Sequence, residues 1–129
     1  MAGPAVIEPL IGRAVELPSD LVARYPELTT VRWRRGGLPV RVASLFLGGA
    51  SAAAAITLWR TVFLAPHARL DAELLLHELR HVHQFQASPL FPLLYLWESL
   101  LRGYSGNRFE ADARAYAARR LEEPSQSHA

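Results

Sequence analysis

Two histidines four residues apart, with a glutamate beside the first, make His77-Glu78-Leu79-Arg80-His81 the stretch of this 129-residue chain best equipped for chemistry. On a helix each residue turns by about 100°, so positions i and i+4 share a face about one turn apart, and two imidazoles so placed can grip one metal ion. Glu78 lies about 100° from His77, which lets its carboxylate reach a water at the ion rather than the ion itself. Two ligands, a base and an open position are the parts of a hydrolytic zinc site. A bare H-E-x-x-H arises by chance in roughly one chain in a hundred of such composition, so its surroundings must support it. Gln84 falls about 20° from His77 on the same face, where it can orient a ligand or a substrate, or simply sit on a polar rim. His83 is turned about 200° from His81 and points away.

Catalytic zinc usually takes three protein ligands and keeps a fourth position for water. The chain has no cysteine, so the third ligand must be another histidine or a carboxylate. Glu98 is explained by Arg102 at i+4, an ordinary helix-surface ion pair. Glu110 stands at the start of a helix in Asn107-Arg108-Phe109-Glu110, from which a side chain can point at a neighbouring helix. The same spacing is that of a capping box, in which the carboxylate returns to the N–H of the cap residue. Spacing alone leaves both readings open.

The rest of the chain must position these groups. Its length is that of one domain, 1–129, with 1–16 and 122–129 irregular, and an apolar content of 50% excludes disorder. Every basic residue is arginine, yet the net charge is only +2, which gives no ground for a nucleic-acid partner. Arg32-Trp33-Arg34-Arg35, the densest basic cluster, reads as an exposed strand end before a turn. Met1–Ile11 lacks the basic leader and apolar core of a signal peptide, so a cytoplasmic location is the default expectation. Val42–Trp59 carries no formal charge, but Gly48-Gly49-Ala50-Ser51 and the alanines after it dilute it; two strands with a glycine-rich connection are expected there instead of a membrane span.

The expected elements begin with a short helix from Asp20 to Tyr25, capped by Ser19 and ended by Pro26. Strands follow at Thr29–Arg34, Val40–Leu47 and Ala54–Leu64, each rich in β-branched or aromatic residues. Asp71 is placed to cap a motif helix over Ala72–Ala87, with Leu75, Leu79 and Val82 on the side opposite His77. A Leu-rich helix over Leu90–Arg102 ends at Gly103 and is expected to pack in the core. Asn107 caps a last helix to Leu121, whose alanines permit close packing. Strands followed by helices give an α+β class with a sheet of about three strands.

The combination His77-Glu78-x-x-His81-x-x-Gln84 followed by Tyr104-x-x-Asn107-x-x-Glu110-Ala111-x-Ala113 resembles the gluzincin metallopeptidases. It looks most like the small single-domain bacterial minigluzincins and related zincin-like domains of unknown function, over about Ala54–Tyr116. The resemblance implies a small zincin-like fold, Zn2+ held by His77, His81 and Glu110, and Glu78 as general base. The family often has Pro after the Asn, where this chain has Arg108; Pro at the first helical position helps but is not essential. It further implies a peptide or protein substrate lying along the strand from Ile56 to Leu64, with Trp59 and Arg60 among the residues facing it. Tyr104 is a candidate for stabilising the oxyanion, although packing against the motif helix would also explain it. The alternative is a non-catalytic or latent zinc-binding scaffold that binds a protein partner, against which the retention of Glu78 argues. A di-iron centre would need the Glu-x-x-His motif twice, and it occurs once.

Overall fold

The computed structural model describes residues 10–46 and 54–124. Strand β1 (Arg13–Ala14) precedes helix α1 (Ser19–Arg24) and a 3-10 turn at Pro26–Thr30; then come β2 (Arg32–Arg35), α2 (Leu38–Phe46), β3 (Ala55–Leu58), β4 (Thr61–Leu64), α3 (Ala72–Ala87), α4 (Phe91–Gly106) and α5 (Arg108–Glu122). The four strands form one mixed sheet in the order β1-β2-β4-β3, with β2 parallel to β4 and the two outer strands antiparallel to their neighbours. The α+β class is therefore as expected, but two of the three expected strands are not.

Val40–Leu47 was expected to be a strand because Val40 and Val42 alternate with smaller residues; the structure has helix α2 there, through Phe46. The glycine pair Gly36-Gly37, both at positive φ, turns the chain, and Pro39 supplies a preset helical φ in the first turn. Val40 is buried and Ala43 faces the cavity described below, a spacing of three that suits a helix, while Val42 is exposed. The glycine-rich connection expected after it lies outside the described residues. Ala54–Leu64, read as one strand, is a hairpin in which Leu58 pairs with Thr61 around Trp59-Arg60. Trp59 occupies the left-handed region at φ 54°, a turn conformation for which Gly or Asn is the usual signal and which no bulky residue announces.

The helices follow their local signals more closely. Asp71 accepts from the N–H of Leu74 and caps the motif helix α3 at its expected start. Leu75, Leu76, Leu79 and Val82 on its inner side are fully buried against Val62 and Leu64 of β4, Leu28 and Tyr25. Each such side chain contributes roughly 2 kcal/mol relative to exposure. The outer side carries His77, His81 and Gln84. Helix α5 packs along α3 through Ala113 and Ala117, both buried, over an extensive contact.

The Leu-rich helix α4 departs from expectation. Core packing was expected, yet Phe91 is its only buried residue, and Leu93, Leu96, Trp97, Leu100 and Leu101 face solvent. Gly103 at φ 74° interrupts it, so the helical run stops at Arg102 as the sequence suggested, and 104–106 form one further turn. No helix among the described residues is long and apolar enough to cross a membrane.

Candidate metal centre

Helix α3 presents His77 and His81 one turn apart, with ring centroids 5.0 Å apart, and α5 brings Glu110 up to both. Glu110 Oε1 lies 2.8 Å from His77 Nε2 and 3.2 Å from His81 Nε2. The donor atoms of His77, Glu78 and His81 all lie within 4.8 Å of one another, so this group could hold a metal ion. A tetrahedral zinc ion with bonds of about 2.1 Å places its donors about 3.4 Å apart, so Glu110 Oε1 would have to draw back by about 0.6 Å from His77 and about 0.2 Å from His81 to admit one. The donor set, two neutral nitrogens and a carboxylate, suits zinc and other borderline divalent ions alike.

The two readings of Glu110 make different demands on Asn107, and the geometry answers one of them. Asn107 Oδ1 accepts from the N–H groups of Phe109 and Glu110, so Asn107 caps α5. The reciprocal half of a capping box is missing: the Asn107 N–H donates to the Tyr104 carbonyl, and the Glu110 carboxylate is turned to the histidines and to Tyr95, whose hydroxyl donates to Oε2. Asn107 is itself fully buried, and its amide donates to the Tyr95 carbonyl at 3.2 Å and to Ser99 Oγ at 2.9 Å. Those bonds fix the start of the glutamate helix against α4, and so fix where Glu110 emerges.

Gln84 orients His81. Its amide nitrogen donates to the Phe109 carbonyl at 3.0 Å and to Asp112 Oδ2 at 2.9 Å, which leaves Oε1 facing His81 Nδ1 at 2.8 Å. Nδ1 must then carry a proton, and Nε2 is the nitrogen left to face Glu110. Asp112 is held in turn by Arg80 Nε at 2.7 Å, which keeps its carboxyl below the usual range. His83 lies across the helix against the Tyr116 ring, away from the centre as its position on the wheel implied.

Glu78 is buried, and Thr57 Oγ1 on the edge strand β3 donates to its Oε2 at 2.8 Å. Burial opposes a proton on His81, but the hydrogen bond it donates to Glu110 and the charges of Glu78 and Glu110 outweigh it and raise its pKa to about 9. Burial would raise Glu110, yet its contacts with His77, His81 and Tyr95 hold it well below the ordinary carboxylate range. Both shifts favour the pairing of a charged His81 imidazole with the Glu110 carboxylate. Burial, reinforced by the charges of Glu110 and Glu78, pushes the Tyr104 phenol up to about 12.

Beside these groups lies a cavity of about 230 Å³ walled by β3, the outer end of α3 and the first turns of α4. Glu78, His81 and Glu110 form its polar floor; Ile56, Leu58, Phe85, Phe91 and Tyr95 supply most of its walls. Tyr104 lines it too, half-exposed, in the turn after Gly103. Trp59 and Arg60 are not among the residues lining the cavity: the hairpin puts them at its turn, where Trp59 packs on the lining residue Phe85 at 5.6 Å between ring centroids and Arg60 is exposed. The strand residues at the cavity are Ala55–Leu58 instead. Thr57 and Tyr95 were missed in the sequence; a lone hydroxyl within Ala55-Ile56-Thr57-Leu58 and a tyrosine within a leucine run were their only signals.

No curated protein and no solved structure gives a significant match to the chain. A family model described as the eCIS core domain matches residues 24–89, just over half of the chain, from the end of α1 through the motif helix. The match takes in Thr57, His77, Glu78, His81 and Gln84, whereas Tyr95, Tyr104, Asn107 and Glu110 lie beyond it. The chain belongs to the eCIS core domain family.

Proposed function

We propose that the protein is a zinc-dependent peptidase of gluzincin-like architecture, with His77, His81 and Glu110 as metal ligands and Glu78 as general base. The observation that carries this reading is the meeting of Glu110 with both imidazoles at 2.8 and 3.2 Å, beside a buried carboxylate that is not one of the three. When bound, zinc supplies a Lewis acid for the scissile carbonyl and lowers the pKa of the attacking water. Glu78, with Oε2 occupied by Thr57, has Oε1 free to accept a proton from that water and pass it to the departing amine. Tyr104 keeps its proton at neutral pH and can donate to the oxygen on which negative charge develops. Strand β3 is an outer strand of the sheet and borders the cavity, so an extended peptide can pair along Ala55–Leu58 with its scissile bond over the polar floor.

A metal-binding scaffold without chemistry would have no use for a buried carboxylate poised beside the ligands and steered by a hydroxyl from another element. Hydrolysis of a broad peptide library by the zinc-loaded chain and by Glu78→Gln separates the two. Cleavage by the wild type, with a loss of 10²-fold or more in Glu78→Gln at equal zinc content, is expected. A zinc-loaded wild type that cleaves no peptide would leave the scaffold as the better account.

A further inference from the structure

Helix α4 is amphipathic in the reverse of the usual sense. Its inward positions are Phe91, Tyr95, Glu98 and Ser99, two of them polar, while Leu93, Leu94, Leu96, Trp97, Leu100 and Leu101 form an outward face with exposures from 42% to 73%. At 100° per residue these six span about 160° of the helix surface, a width normally reserved for a core-facing stripe. Their open area is on the order of 700 Å², close to the roughly 800 Å² that one partner brings to a stable interface and above what an isolated surface leucine would explain.

We propose that this face is where two copies of the chain meet, α4 against α4 across a two-fold axis. Self-pairing brings the same surface patch from both copies together, so a charge near the axis would meet its own image, and the six residues carry none. The two arginines that follow the face in sequence also argue for a second copy over a lipid surface. Arg102 and Arg108 both point back to Glu98, at 3.1 and 3.6 Å, instead of being left for phosphate headgroups. Two leucine-rich helices crossing in this way would exclude water from both stripes at an interaxial distance of about 8–10 Å. Pro92 and Tyr104, from the two ends of the same segment, line the cavity, so the second copy borders its mouth.

Sedimentation of the full chain at tens of micromolar tests this. Wild type is expected at twice the monomer mass, and Leu93→Glu/Leu100→Glu at the monomer mass with unchanged zinc content. The chain has no native cysteine, so Trp97→Cys gives a second readout that leaves the rest of the stripe intact. On mild oxidation it should form a disulfide-linked dimer, while Arg119→Cys, on the exposed side of α5, should not. A wild type that stays monomeric throughout this range overturns the proposal. A monomer that floats with anionic vesicles overturns it in favour of a membrane surface.

Discussion

His81 is held by two opposed demands. Its Nδ1 proton is fixed by Gln84, and its Nε2 is drawn to Glu110, which in the metal-free chain favours the imidazolium. A metal ion needs that second nitrogen bare, so binding must expel a proton. Zinc affinity should therefore rise with pH from 6 towards about 9 and level off above it, which competition with a coloured chelator over that range would reveal; affinity that is flat between pH 6 and 9 would mean that His81 is neutral before binding. The stability of the metal-free fold runs the other way. With the folded pKa above the unfolded value near 6.5, the His81–Glu110 pair stabilises the fold fully below that value and ceases to as pH rises through about 9. Gln84→Leu removes the acceptor that fixes the tautomer and takes one donor from the Phe109 carbonyl and one from Asp112, which keeps Arg80. A 10- to 100-fold weaker zinc affinity is expected, measured by the same competition, and an unchanged affinity would reduce Gln84 to packing.

The helices that carry the site could be read because their ends announce themselves in single residues. Asp71 and Asn107 cap where they were expected to, and Leu75, Leu79 and Val82 fall on the buried side because the 3.6-residue period is local. The strands could not be read in the same way. Val40 and Val42 have the residue types of a strand, but Gly36-Gly37-Leu38-Pro39 sets up a helical first turn, and the burial of Val40 beside the sheet confirms the outcome. The Trp59 turn rests on a contact with Phe85, twenty-six residues away, that no local rule exposes. Asn107 shows how one residue can serve both scales: its side chain caps α5 and ties that helix to Tyr95 and Ser99 of α4. Asn107→Ala should destabilise the fold by about 2–4 kcal/mol, the sum of a lost cap and stranded buried partners, as read from the urea midpoint. A loss below about 1 kcal/mol would mean that α5 is positioned by Ala113 and Ala117 alone.

At the scale of the whole molecule, the sheet and the buried face of α3 form a base, and α4 and α5 fold back over the motif helix to enclose the polar floor. The family match stops at residue 89, so the last third of the chain, which supplies Glu110, Tyr95 and Tyr104, lies outside what the eCIS core domain describes. What the sequence could offer about Glu110 was limited for the same reason: its role depends on how α5 crosses α3, a long-range packing set by small alanines and by Asn107, while its spacing from Asn107 fits a cap equally well. On the proposed function, this distant glutamate completes the metal centre. Zinc stoichiometry of the purified full chain by elemental analysis, wild type against Glu110→Ala, tests it most directly. One zinc per wild-type chain and almost none in Glu110→Ala is the predicted result; full occupancy in Glu110→Ala would contradict it.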